Sequence, residues 1–167
     1  MRIAITGASG LLGRELLNFC LARGHRPVAA VHARSVIASS AIEQIDIDLV
    51  QRESVARFVR QSQPDWVVHS AAMTDVDRCE VEPESARVAN VETTRNLLDA
   101  IRGTKIRLLF VSTDYVFDGR SGPYSEGARE NPINVYGRTK REAEMLVAAD
   151  GPAHLIVRSA SFIGVGG

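Results

Sequence analysis

Short apolar runs alternate with longer stretches of helical periodicity along the chain. Runs at 2–6, 27–32, 42–47, 65–71, 106–112 and 154–159 have the length and composition of strands. Several are nearly continuous rather than alternating, the pattern of strands covered on both faces in a parallel sheet. Between them, Leu12, Leu16, Phe19 and Cys20 share one helical face over 11–23, with Gly24 as a stop signal. Val55, Phe58 and Val59 do the same over 54–62. Val88, Val91, Leu98 and Ile101 do so over 83–102, and Ala143, Leu146 and Val147 over 136–149. Strand alternating with helix predicts a doubly wound α/β sheet of the Rossmann type, as one domain over 1–167. Segment 33–41 is too short and too rich in Ser for a crossover helix and reads as a loop or single turn. Segment 117–135, with Gly119, Gly122, Pro123, Gly127 and Pro132, reads as a long loop, which in a compact domain is usually functional or mobile.

Composition narrows the class. The chain has 167 residues, 45% hydrophobic and 24% charged, within the ordinary globular range. Twenty basic residues balance twenty acidic ones. A net charge of zero argues against nucleic acid or a membrane surface as partner. No apolar run is long enough to span a membrane, and the chain opens on a strand rather than a leader pattern, so a cytoplasmic protein is expected. Cys20 and Cys79 lie far apart and fit no zinc spacing; they read as free thiols, with one long-range disulfide as the alternative, and no metal site is expected. Of the basic residues, 18 are Arg and only Lys105 and Lys140 are Lys. A lysine in this chain therefore stands out from its generic cations.

The first strand runs into Thr6-Gly7-Ala8-Ser9-Gly10-Leu11-Leu12-Gly13 and then an amphipathic helix. Small residues at this spacing let the backbone approach a pyrophosphate, and the helix N-terminus offers unpaired N–H groups. Gly7, Ser9, Gly10, Leu11, Leu12 and Gly13 are the candidate contacts. The second strand ends in His32-Ala33-Arg34, with no acid to take a ribose diol. Arg34 either pairs with a 2′-phosphate, which favours NADP over NAD, or is a solvated surface residue. Asp48 and Leu49 follow the third strand and either flank an adenine ring or, through Asp48, cap the next helix.

Tyr136-Gly137-Arg138-Thr139-Lys140 places a phenol and an amine one helical turn apart on one face. A nearby ammonium favours phenolate and is expected to lower the tyrosine pKa; it also suits the hydroxyls of a nicotinamide ribose. Ser112-Thr113-Asp114 ends the fifth strand, where open α/β sheets bind ligands, and the Thr113 hydroxyl is placed to bond a substrate carbonyl. The stretch Asp75, Asp77, Glu80, Glu82 and Glu84 reads as a solvated loop leading into a helix N-terminus. His69, inside a strand, reads as packed beneath a cofactor rather than catalytic.

Together with His69–Asp77 (HSAAMTDVD), Ser112–Gly119 (STDYVFDG), Pro123–Glu126 (PYSE) and Asn134–Lys140 (NVYGRTK), these residues resemble the extended short-chain dehydrogenase/reductases. More narrowly, the chain resembles the dTDP-4-dehydrorhamnose reductase family. The resemblance implies strand order 3-2-1-4-5-6. It implies that Tyr136 is the proton donor, Lys140 its partner and Thr113 the hydroxyl on the sugar carbonyl. It implies that Ala71 and Ala72 pass beneath the cofactor, that Asn90 supports the site or bonds structurally, and that Thr74, Val76 and Asp114 border the sugar. The implied reaction is NADPH-dependent reduction of a 4-keto-6-deoxy nucleotide sugar. The family's smaller C-terminal substrate lobe has no counterpart here, and Ser161 stands where the reductases place a tryptophan. The chain alone is accordingly expected to bind NADPH more tightly than NADH and to turn over sugar poorly, with a homodimer or a second chain supplying the lobe. A non-catalytic regulatory subunit, resembling the beta subunit of methionine adenosyltransferase, is the alternative. A dehydratase or epimerase is the weaker third reading, since Asp114 is a single acid with no Glu after it.

Overall fold

A computed structural model describes residues 1–32 and 39–160. The described chain runs β1 (Arg2–Thr6), α1 (Leu11–Ala22), β2 (Arg26–Val31), β3 (Glu43–Asp46), α2 (Arg52–Ser62) and β4 (Trp66–His69). It continues through α3 (Val76–Val81), α4 (Pro83–Arg87), α5 (Thr93–Ile101), β5 (Arg107–Thr113), α6 (Val135–Asp150) and β6 (Leu155–Ser159). The six strands form one sheet in the order β3-β2-β1-β4-β5-β6, and every pairing is parallel, as expected.

Strand alternation divides the core. Ala4, Val28, Val67, Leu108 and Phe110 face α2, α5 and α6, where Phe58, Leu97, Ile101 and Val147 close over them. Ile3, Ile5 and Ala29 face α1, packing on Leu17 and Cys20. The carboxyl ends of β1 and β4 lie at the centre of the sheet, where the chain order reverses. Such a switch point leaves a crevice for ligands.

Three local features depart from the sequence reading. The single helix expected over 83–102 is α4 and α5 joined by a π-helical segment, Val88–Glu92. The acidic stretch is not a loop. Asp75 accepts a hydrogen bond from the Arg78 N–H at 3.0 Å and caps α3, because acids suit a helix N-terminus. Coverage on both faces holds for the central strands but not for the edges: Glu43, Gln44 and Asp46 of β3 are not buried, and Leu155 and Val157 of β6 are 49% and 45% exposed.

Candidate active site

The turn from β1 into α1 forms the floor of the crevice. Gly7 has φ +69, and a Cβ there would meet the Ala71 backbone nitrogen at 2.8 Å. A Cβ at Gly13 would run into the Gly7 carbonyl and the Ala8 Cα, so α1 can sit this close to the turn only with glycine there. Gly10 is the N-cap of α1 with no side-chain cap and no acid in the first turn. The first N–H groups of α1 are thus left for an anion. Two continuous cavities open above this turn, of about 620 and 500 Å³, both bordered by Gly7, Ser9, Ala71 and Ala72.

The larger cavity collects most of the residues singled out by sequence. Gly7, Ser9, Gly10, Leu11, Leu12 and Gly13 line one side, and Ala71, Ala72, Thr74 and Val76 the next. Thr113, Asp114, Tyr136 and Lys140 line the third. Asp48 and Leu49 line the smaller cavity. There the Asp48 Oδ1 accepts the Val50 N–H at 2.9 Å, and the Asp48 N–H donates to Ser54 Oγ. Asp48 therefore shapes its own turn while still facing the cavity; it does not cap α2, whose N-cap is Gln51 with no side-chain cap. Asn90 lies behind the wall rather than in it. Arg34 and Ser161 lie outside the described residues.

The three chemistry-bearing side chains converge from β5 and α6. The Thr113 hydroxyl faces the same cavity as the Tyr136 phenol and bears on its titration. Thr113 also donates to Asp114 Oδ1 at 3.2 Å and accepts the Tyr115 N–H. Burial raises the Tyr136 pKa above its usual value, and the Thr113 hydroxyl only partly offsets this. The expectation that Lys140 lowers the phenol pKa is therefore corrected. The Lys140 Nζ instead donates to the Val111 carbonyl at 2.6 Å and stands 4.0 Å from the centre of the Phe110 ring. Burial pulls its pKa down to about 7 against the opposing pull of Glu144. The cavity thus presents a protonated phenol and, one helical turn on, an amine held near neutrality by burial.

A hydrogen-bond chain behind the wall holds the crevice in shape. Thr94 Oγ1 donates to the Asn90 carbonyl at 2.8 Å, so it accepts from His69 Nε2–H at 3.2 Å. That leaves His69 Nδ1 to accept from Thr6 Oγ1 at 2.7 Å, and Thr6 Oγ1 in turn accepts the Ala71 N–H at 3.3 Å. Asn90, in the π-helical segment, accepts the Met73 N–H and donates to the Met73 carbonyl and to Thr139 Oγ1. All of its side-chain polar capacity for protons is engaged, and β4's end is tied to α6 through it. His69 is buried, and desolvation, aided by the Lys140 charge, lowers its pKa to about 3. It is a neutral strut, as its place in the strand suggested.

Several residues at the site escaped the sequence reading. Asn96 donates to both the Leu49 and Val50 carbonyls at 3.0 Å and fixes the turn beside the smaller cavity. Arg78, Ser85, Ala89 and Thr93 form the opposite wall of that cavity. Ser112, 4% exposed, borders the larger one, and its hydroxyl has no partner among the described residues. Only its position beside Thr113 signalled it.

Fold and site together define a Rossmann-type domain whose crevice is built for a dinucleotide: a glycine cradle that a Cβ would fill, free helix N–H groups, and on its wall a buried hydroxyl without a partner among the described residues. Along residues 1–167 the chain matches the RmlD substrate binding domain family, and it belongs to that family. It is 36% identical over 160 residues to dTDP-4-dehydrorhamnose reductase of Sinorhizobium fredii, covering 95% of this chain and 50% of that protein. It is 34% identical over 157 residues to methionine adenosyltransferase 2 subunit beta of Xenopus tropicalis, covering 94% and 46%. Among solved structures, dTDP-4-dehydrorhamnose reductase from Bacillus anthracis in complex with NADP superposes with TM-score 0.84 at 31% identity, covering 99% of this chain and 56% of that one. UDP-glucose 4-epimerase from Brucella ovis in complex with NAD gives 0.83 at 28%, covering 93% and 50%. The chain spans about half the length of the curated relatives it matches.

Proposed function

We propose that this chain is the cofactor-binding half of an NADPH-dependent reductase acting on a 4-keto-6-deoxy nucleotide sugar. The observation that carries the reading is the convergence of Tyr136, Thr113 and Lys140 on the cavity floored by the Gly7–Gly13 turn. A bound dihydronicotinamide supplies the hydride for the carbonyl carbon. Tyr136, kept protonated by its burial, donates its phenolic proton to the carbonyl oxygen as charge develops there. Thr113 holds the same oxygen by its hydroxyl. Lys140 lies one turn behind on the same helix face, where its amine would meet the hydroxyls of the nicotinamide ribose. Thr74, Val76 and Asp114 border the space for the sugar, and Arg34 is the candidate cation for a 2′-phosphate.

Fluorescence titration with NADPH and NADH tests the cofactor half. Tighter binding of NADPH is expected, and equal affinity removes the Arg34 argument. Oxidation of NADPH in the presence of dTDP-4-keto-6-deoxyglucose tests the substrate half.

The likeness to the methionine adenosyltransferase beta subunit favours a second reading, in which the same crevice holds a dinucleotide and the chain serves a partner enzyme. In that case cofactor binds, no nucleotide sugar is reduced even when a substrate lobe is supplied, and Tyr136→Phe changes nothing measurable beyond stability.

A further inference from the structure

Glu144 is the least expected charge in the molecule. It is 1% exposed and sits one turn beyond Lys140 on α6, so Tyr136, Lys140 and Glu144 share one helix face. Its carboxylate is held by a two-point bond from Arg158 of β6, Nε to Oε1 at 2.9 Å and Nη2 to Oε2 at 2.7 Å. Arg158 in turn bonds Glu130, reaches the Glu126 carbonyl at 3.5 Å, and lies 5.1 Å from the centre of the Phe117 ring. It thereby links the catalytic helix to the long loop after β5. Removing one partner from a buried pair leaves the other charge uncompensated, so neither member is a bystander.

We propose that the Glu144–Arg158 pair is a positioning device for Lys140: Glu144 supplies the counter-charge that holds the ammonium on the Val111 carbonyl, and Arg158 sets how much of that counter-charge Lys140 feels. The groups around Lys140 support the assignment. From β4 comes His69, which is neutral; from β5 come the Val111 carbonyl and the Phe110 ring, with Asp114 just past its end. From α6 come Tyr136, which is protonated, and Glu144; from β6 comes Arg158, across Glu144. Glu144 is the anion whose charge acts on Lys140, opposing the desolvation that favours the neutral amine. The inference rests on the reading of Lys140 as the partner of Tyr136, but its test does not need cofactor or substrate.

The chain contains only two lysines, Lys105 and Lys140, and Lys105 is exposed. Protein labelled with [13Cε]-lysine therefore gives two NMR signals, and Lys105→Arg assigns them. Lys140 is expected to titrate near 7 in the unaltered chain. Glu144→Gln should lower that midpoint by about one pH unit. Arg158→Met should raise it, because the carboxylate then acts on Lys140 without a competing cation. Opposite signs from the two halves of one pair are something a purely structural role does not produce. A midpoint unmoved by Glu144→Gln, or one that fails to rise in Arg158→Met, overturns the proposal. Should Glu144→Gln prove unfolded by circular dichroism, Glu144→Asp decides. It keeps the charge but withdraws it, so a midpoint at or above the original overturns the proposal equally. Failure of NADPH binding would sink the reductase reading and leave these titrations standing.

Discussion

Tyr136 and His69 show how burial by itself assigns roles to titratable groups. Burial keeps the phenol protonated, which is the form the proposed reduction needs from its acid, and it keeps the imidazole neutral, which is the form a strut needs. His69 has a consequence for stability. Its folded pKa lies near 3 against an ordinary 6.5, so between these values the unfolded chain binds a proton that the folded chain does not. Stability is then fully present above pH 6.5 and is lost as pH falls through that window. Urea unfolding at pH 7 and pH 4.5 should show a smaller loss for His69→Gln than for the unaltered chain, since the variant lacks that titration. Equal losses would mean that the ring is protonated in the folded state. Tyr136→Phe separates binding from chemistry: NADPH affinity is expected to hold, while reduction of the 4-keto sugar nucleotide falls by roughly 10²–10⁴-fold.

Among the elements, α6 and the π-helical segment carry the arrangement. Gly137, next to Tyr136, packs so closely on the turn after β5 that a Cβ would collide with the Tyr115 carbonyl. Gly137→Ala should push α6 outward, widening the Thr113–Tyr136 contact. The expected result is a protein that stays helical, melts several degrees lower and binds NADPH more weakly. The extra residue of the π-helical segment turns Asn90 inward, and π-bulges of this kind recur at functional sites. Asn90→Ala would strand the Met73 N–H, leave the Met73 carbonyl only the weak Cys79 thiol donor, and remove a donor to Thr139. A loss of roughly 1–3 kcal/mol in urea unfolding is expected, the usual penalty for unsatisfied buried groups. The order of the elements was legible in the apolar runs, because strand and helix leave different periods in a sequence. The π-helical segment was not, since Val88, Val91, Leu98 and Ile101 fit an unbroken helix equally well. Helix α3 was missed because six polar-rich residues carry too little periodicity to distinguish a short helix from a loop.

For the molecule as a whole, the sheet order creates a crevice at its switch point, and the two halves of the crevice are built from distant parts of the chain. Ligand that binds the folded form alone stabilises it by mass action, by about 2.7 kcal/mol at roughly a hundredfold excess over Kd, and so raises the melting temperature. NADPH should therefore stabilise the chain in a thermal melt, and Tyr136→Phe should retain the shift; no shift at saturating NADPH would reject the crevice as a dinucleotide site. The alternation of apolar runs, the glycine turn and the pairing of Tyr136 with Lys140 were all readable from the chain, because each depends on spacing within one strand, one turn or one helix. The contacts that assign roles were not. Lys140 bonds a carbonyl 29 positions away, His69 a hydroxyl 63 positions away, and Glu144, on a helix, a guanidinium on β6. Local spacing places a side chain on a face, but its charge state follows from what the folded chain brings against that face, and those neighbours are set by packing between elements rather than by any pattern along one of them.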